Sequence, residues 1–295
     1  MVKFGVHLGL SRSAGFKKLK QIVSYIDFTP IDSVFVADSL SSGYDTMGSL
    51  VYLSLATKRL NVGTCVFILP LRHPALVAKE TSFIQRLSKN RLILGIGVGW
   101  RKKEFDLLGV NYNKRGKITD ESIRFLLEAW SKDTFSFKGN YFRAQGVTLN
   151  SSLEKRPQIW VGGNSLNAMR RAARLGDRWI PTDFSVDDYL SKMQELRSIL
   201  GRSKNLEVAS HLFLVISRNR DDAILRAKVL AERFGDTLES FLSSALVGNP
   251  SDITKRISEY IDAGVKYHVL SLTYLQGEKI VNSLKLLEKE VIPSF

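Results

Sequence analysis

The chain has 295 residues, 44% of them hydrophobic and 24% charged, which excludes a wholly disordered polypeptide. A single cysteine, Cys65, excludes an internal disulfide and any Cys-rich zinc site, and no metal centre is expected. Against 29 Asp+Glu stand 43 Lys+Arg, a formal charge of +14, but the basic residues are scattered and not interleaved with aromatics, which argues against a nucleic-acid interface and for solvated helix faces, with an anionic small molecule as the alternative partner.

The opening segment, Lys3 to Gly9, reads as a strand and is too short and glycine-broken for the core of a signal peptide. No apolar run approaches the ~18 residues that span a bilayer, so a cytoplasmic location without membrane contact is expected. Apolar, β-branched runs begin at Lys3, Ser33, Asn61 and Arg91, a recurrence of about 30 residues. Helix-like stretches over Lys17–Tyr25, Met47–Lys58 and Ala75–Leu87 lie between them, as successive βα units require. The period then breaks. Trp100–Trp130 reads as helical, and Phe135–Arg143 holds two aromatic runs around Lys138-Gly139-Asn140, a hairpin signal. Residues 101–155 or so are therefore expected to be an insertion after the fourth strand.

The units resume with a strand at Gln158–Gly163 and a helix at Leu166–Leu175 ended by Gly176. A strand at Arg178–Pro181, a helix at Val186–Leu200, a strand at Glu207–Ser217 and helices through Leu246 follow. A helix over Ser251–Ala263, ended by Gly264, and a strand at Tyr267–Thr273 precede a closing helix. Eight strands, each followed by a helix and none by a Gly/Ser-rich linker, predict an α/β fold: one (β/α)8 barrel domain over residues 1–295. The alternative, a doubly wound open sheet, would place a dinucleotide fingerprint at its first turn, and none is present.

Barrel ligands bind at the C-terminal ends of the strands. Strand one presents Phe4, Val6 and Leu8 on one face and Gly5, His7 and Gly9 on the other, so His7 is expected to point inward near the mouth, as a core residue or a proton carrier. Strand two ends at Asp38-Ser39, where a carboxylate either caps the loop or accepts a hydrogen bond from a ligand. Cys65 in strand three reads as a buried structural thiol. In strand four Gly95, Gly97 and Gly99 recur at period two, leaving one face without side chains, either for a flat group to approach or because a tight barrel interior needs glycine there. Strand five ends Gly162-Gly163-Asn164-Ser165 and opens a helix, an arrangement suited to phosphate, with Arg170 nearby.

Four stretches, in order, resemble the luciferase-like monooxygenase superfamily of FMN- or coenzyme F420-dependent barrels, its F420-dependent branch most. They are Asp32–Asp38; Arg91–Trp100 with Glu104, Phe105 and Gly109; Pro157–Ser165 with Arg171–Asp177 and Trp179; and Val247–Pro250 with Asp262-Ala263-Gly264. The resemblance implies that Asp38 lies beside the cofactor ring, with a catalytic part. It implies a non-proline cis bond at Cys65-Val66 that backs the ring, space for the ring at Gly97 and Gly99, and a phosphate held by Gly162, Gly163, Asn164 and Ser165. Two positions depart from the pattern. Ser39 stands where several F420-dependent relatives have histidine, and Trp100 where some dehydrogenases have a catalytic glutamate. A sugar-phosphate dehydrogenase is therefore not expected, and His7, then His211, are the remaining proton-transfer candidates.

The expected function is hydride transfer to or from a small organic substrate on non-covalently bound F420 or FMN, with Trp100 and the insertion as a substrate wall, Arg72-His73 as a rim, and a homodimer as the assembly. Oxygen-dependent monooxygenation with FMN, a non-redox isomerase or lyase acting on a phosphorylated metabolite, and a binding protein that has lost catalysis are the alternatives.

Overall fold

The computed structural model describes residues 2–9, 15–41, 43–201 and 206–295. It divides into two compact units, Met1–Phe35 with Trp179–Phe295, and Val36–Arg178. The first opens with β1 (Lys3–Leu8), α1 (Gly15–Asp27) and β2 (Ser33–Val36). The second carries α2 (Thr46–Ala56), β3 (Asn61–Thr64), β4 (Phe67–Ile68), α3 (Pro74–Leu87) and β5 (Leu92–Gly97). It continues with α4 (Lys102–Leu107), α5 (Arg115–Ser131), β6 (Thr134–Lys138), β7 (Arg143–Thr148), β8 (Gln158–Gly162) and α6 (Leu166–Leu175). The chain then returns to the first unit through β9 (Arg178–Ile180), α7 (Val186–Leu200), β10 (Glu207–Ile216), α8 (Arg220–Phe234) and α9 (Leu238–Ser244). The last elements are β11 (Leu246–Gly248), α10 (Pro250–Asp262), β12 (Tyr267–Ser271) and α11 (Glu278–Leu286).

In the second unit β5 is the central parallel strand. It pairs with β3 at Val62↔Leu92, with β4 at Phe67↔Ile96 and with β8 at Ile96↔Val161. All of its residues are buried, as expected of a parallel strand covered on both faces. The predicted third strand is split into β3 and β4. Helix α3 begins where Pro74 supplies a fixed φ and the His73 ring accepts from the Ala75 amide (3.2 Å); Val77, Ala78, Thr81, Ser82 and Ile84 form its buried stripe.

The insertion contains the expected hairpin, with a shifted second strand. Tyr141 and Phe142 are turn residues and β7 starts at Arg143. The cause is Glu121 on α5, 2% exposed, whose carboxylate accepts the amides of Asn140 (2.8 Å), Tyr141 (2.7 Å) and Phe142 (2.7 Å). Those amides are thereby withdrawn from any strand ladder. The predicted helix over Trp100–Trp130 is likewise two helices, parted at Gly109, whose φ is +66°.

In the first unit β12 lies between β1 (Phe4↔His268, His7↔Ser271) and β10 (His211↔Val269, Phe213↔Ser271), all parallel. The short β11 continues β10 at Leu214↔Leu246, where the sequence pattern predicts only helix; three residues carry too little periodicity to announce a strand. Helices α7 and α10 start in capping boxes, Ser185 with Asp188 and Asn249 with Asp252. No helix among the described residues is long and apolar enough to cross a membrane.

Candidate active site

In the second unit the end of strand two grips the break in strand three. The Cys65-Val66 peptide is cis. The Cys65 amide donates to the Val36 carbonyl (2.9 Å), and the Asp38 amide donates to the Val66 carbonyl (3.2 Å), so both sides of the cis bond are hydrogen-bonded to Val36–Asp38. The Asp38 side chain, 3% exposed, accepts from the Ile68 amide (2.9 Å), the Thr46 hydroxyl (2.8 Å) and both terminal nitrogens of Arg72 (2.6 and 3.0 Å). Four donors use the whole acceptor capacity of a carboxylate. Asp38 is thus a saturated anchor that ties the end of strand two to Ile68, Thr46 and Arg72. Arg72 is bound to Asp38 and stacked on Phe67 (4.4 Å to the ring centroid), and His73 caps α3. Arg72 is half-buried and His73 exposed.

The glycine strip on strand four is not an open bay. A Cβ on Gly95 would strike the Thr64 carbonyl, one on Gly97 would strike Val66 Cγ2, and one on Gly99 would stand 2.7 Å from Ile68 Cγ2. On the neighbouring strand a Cβ on Gly162 would stand 2.6 Å from Val66 Cγ1. The period-two glycines therefore seat strand three, with Val66 wedged between Gly97 and Gly162. The tight-packing reading of these glycines accounts for that arrangement. Gly97→Ala should cost about 1–3 kcal/mol, because a branched, short side chain cannot swing clear, and Gly97→Ala/Val66→Ala should recover most of it. Urea denaturation of the single and double variants measures this; an undisturbed Gly97→Ala would remove the wedge.

Trp100 is 74% exposed, with the Arg101 guanidinium over its ring (4.7 Å). Its loop is held by Tyr112, which donates to the Trp100 carbonyl (3.1 Å), and by Arg115, which donates to the Gly99 carbonyl (3.2 Å). Ser39 belongs to a polar cluster: it accepts from Arg101 (3.2 Å) and donates to the buried Glu104 (3.4 Å). Only the family resemblance drew attention to Glu104; its position four residues after Trp100 carries no signal of its own.

At the start of α6 the Ser165 hydroxyl accepts from the Ala168 amide (3.2 Å). Gly163 has φ +119°, a conformation L side chains rarely adopt. Asn164 and Ser165 are exposed, and the Leu166 and Asn167 amides have no acceptor among the described residues, leaving first-turn donors directed at solvent. Arg171 is buried and spent on Asp120 (2.5 Å) and the Gly116 carbonyl (3.0 Å), whereas Arg170 is exposed.

In the first unit His7 and His211 are buried and joined, Nδ1 to Nε2, at 2.8 Å. His7 Nε2 and His211 Nδ1 have no partner among the described residues. Burial, then the neighbouring His211, holds His7 well below the ordinary histidine range; burial brings His211 down to about 4. Both rings are neutral near pH 7, one donating and one accepting across the bond.

The family model for luciferase-like monooxygenases matches residues 1–235. The chain belongs to this luciferase-like family. Among curated relatives, the luciferase-like chain is 26% identical over 198 residues to the FMNH2-dependent dimethylsulfone monooxygenase of Pseudomonas fluorescens (strain Pf0-1), covering 65% of this chain and 54% of that protein. It is 23% identical to the F420-dependent glucose-6-phosphate dehydrogenase of Microbacterium testaceum (strain StLB037), covering 89% and 88%. The chain spans about half the length of several curated relatives that it matches. The solved monooxygenase RslO1 of Streptomyces bottropensis superposes with a TM-score of 0.85 at 19% identity, covering 99% of each chain. The fold of this luciferase-like chain is accordingly a (β/α)8 barrel with an insertion after the fourth strand, and the open-sheet alternative is discarded.

Proposed function

We propose that this luciferase-like protein is an oxidoreductase of a small organic substrate that holds coenzyme F420 or FMN non-covalently. The observation that carries the reading is the open first turn of α6, after Gly163, in a chain that the family model matches over residues 1–235. When bound, such a cofactor supplies hydride transfer, and with FMN also oxygen chemistry. The amino-terminal turn of α6 fits its phosphate: Gly163, Asn164, the Ser165 hydroxyl, and the unpartnered Leu166 and Asn167 amides offer donors and the positive end of a helix. Gly162 and Gly97 act one step back, through Val66. Gly99 acts through Ile68, and Asp38 through Arg72 and the Ile68 amide. Trp100 offers an exposed apolar wall to a substrate.

Proton movement falls to His7 and His211. Being neutral, the pair passes a proton by exchanging donor and acceptor roles rather than by storing charge. The +14 charge favours F420, whose oligoglutamate tail is anionic, over FMN. We further take the barrel to act as a single domain over residues 1–295, as a cytoplasmic homodimer.

Titration of the purified protein with F420 and with FMN, followed by fluorescence quenching, tests this reading. One of them should bind at micromolar concentration. Ser165→Asp should weaken it about 10-fold or more: aspartate still caps the helix, so the fold survives, but its charge repels a phosphate. Should neither cofactor bind while a sugar phosphate does, the non-redox reading replaces this one.

A further inference from the structure

The first unit contains a groove of about 830 Å³ between α8, α11 and the segment after β12, lined by none of the residues assigned above to the cofactor. Its origin is legible in helix periodicity. On α8, Ala227, Leu230 and Ala231 face inward onto Val215 and Phe241. The adjoining stripe, Leu225 and Val229, is left 63% and 59% exposed. On α11, Lys279, Asn282, Ser283 and Leu286 fall at i, i+3, i+4 and i+7 and form the opposite wall. Ile216, Leu230 and Leu275 make an apolar floor.

The charge on the rim is one-sided. Arg226, Arg233 and Lys279 line the groove, and no carboxylate does. Arg226 is neutralised by Asp222, at 2.7 Å. Arg233 and Lys279 have no ion-pair partner among the described residues, although acidic residues are plentiful elsewhere on α8. An apolar stripe this exposed, ending at two uncommitted cations, is an expensive surface to leave to water. The volume is that of a small-molecule site.

We propose that this groove binds an amphiphilic carboxylate, an unbranched fatty acid of medium chain length. Its alkyl chain lies along Leu225, Val229 and Leu286, and its carboxylate is held by Arg233 and Lys279. The chain supplies affinity through apolar burial, and the two cations select an acid over a neutral head group. The inference is independent of the redox reading.

Calorimetric titration of the full-length protein with decanoate, and with decyl glucoside as the neutral head-group control, tests it below the micelle concentration of either. Decanoate should bind about 10-fold more tightly than the glucoside at low salt, with the preference shrinking as salt screens the cations. Arg233→Ala/Lys279→Ala should abolish that preference. Val229→Asp should weaken decanoate about 10-fold or more by placing a charge on the apolar wall. All three side chains are exposed, so the fold is expected to survive, and circular dichroism checks it. Equal binding of both amphiphiles, no binding of decanoate, or a double variant that binds like the parent each overturns the proposal. F420 and FMN affinities should be unchanged in these variants, so failure here and failure of the cofactor titration are read separately.

Discussion

Asp38→Asn is expected to destabilise the protein by about 3 kcal/mol, among the largest effects of any single substitution at the candidate site. The carboxylate is 3% exposed and pairs with Arg72 through two bonds. Removing its charge leaves a guanidinium only 22% exposed without its bonded counter-ion, with Glu80 still a carboxylate in its electrostatic reach. That partial exposure keeps the cost at the lower end of the range for a broken buried pair. An amide also cannot accept from four donors, so either the Ile68 amide or the Thr46 hydroxyl loses its acceptor. Because the same side chain holds the Ile68 amide of β4, the pairing of β4 with β5 should loosen along with the loss of stability. Asp38→Asn/Arg72→Met should be less destabilised than Asp38→Asn alone, since the orphaned cation is gone and the methionine stem can lie on Phe67. Urea denaturation decides: a loss under about 1 kcal/mol would mean that the pair is worth no more than a surface salt bridge.

The barrel was legible because βα alternation writes itself into hydrophobic periodicity. Strands at Lys3, Ser33, Asn61, Gln158, Arg178, Glu207 and Tyr267 begin where the apolar runs begin. Long, amphipathic elements announce themselves, whereas β11 does not: three residues continuing a neighbour's edge look like the tail of a helix. The hairpin was legible as a hairpin, but its register was not. Glu121 sets it from α5, 19 residues before Asn140, the first amide it binds. A side chain that captures backbone donors over such a separation leaves no periodic trace.

The site shows the same division. The cis peptide at Cys65-Val66 was anticipated from the family resemblance alone, since nothing in residue spacing marks a peptide isomer. Gly95, Gly97 and Gly99 were recognised as a side-chain-free face, and that is correct as geometry. What fills the face was not recoverable, because Thr64, Val66 and Ile68 come from another strand whose register depends on the break itself. Asp38 shows the limit of reading roles from position. A carboxylate at a strand's end can serve a ligand or the fold, and only the tally of its donors distinguishes them: an amide, a hydroxyl and two guanidinium nitrogens.

The second large effect is expected in acid. His7, His211 and His268 are all buried, and burial depresses each: His7 well below 6.5, His211 to about 4 and His268 to about 3. In the unfolded chain each returns to about 6.5. Between those limits the unfolded state binds protons that the folded state refuses, so stability is complete above about pH 6.5 and falls as pH drops. Each unit of depression corresponds to about 1.4 kcal/mol, so three histidines together should remove several kcal/mol by about pH 4.5. Asp183 works in the opposite sense. Burial and the charge of Asp236 raise its carboxyl to about 7, so its proton stabilises the fold as pH falls. Much of its surface nevertheless meets solvent, and its effect is correspondingly screened. His268 isolates the histidine contribution, because its Nδ1 meets Ser210 (2.9 Å), its Nε2 has no partner among the described residues, and it stands outside the proposed chemistry. His268→Gln keeps a polar group facing Ser210 but cannot titrate. Denaturation by urea at a series of pH values should therefore give a shallower acid limb in the variant, by about one proton, or about 1.4 kcal/mol per pH unit near pH 5. Parallel limbs in parent and variant would show that His268 takes up its proton in the folded protein, and the account of burial given for all three rings would fall with it.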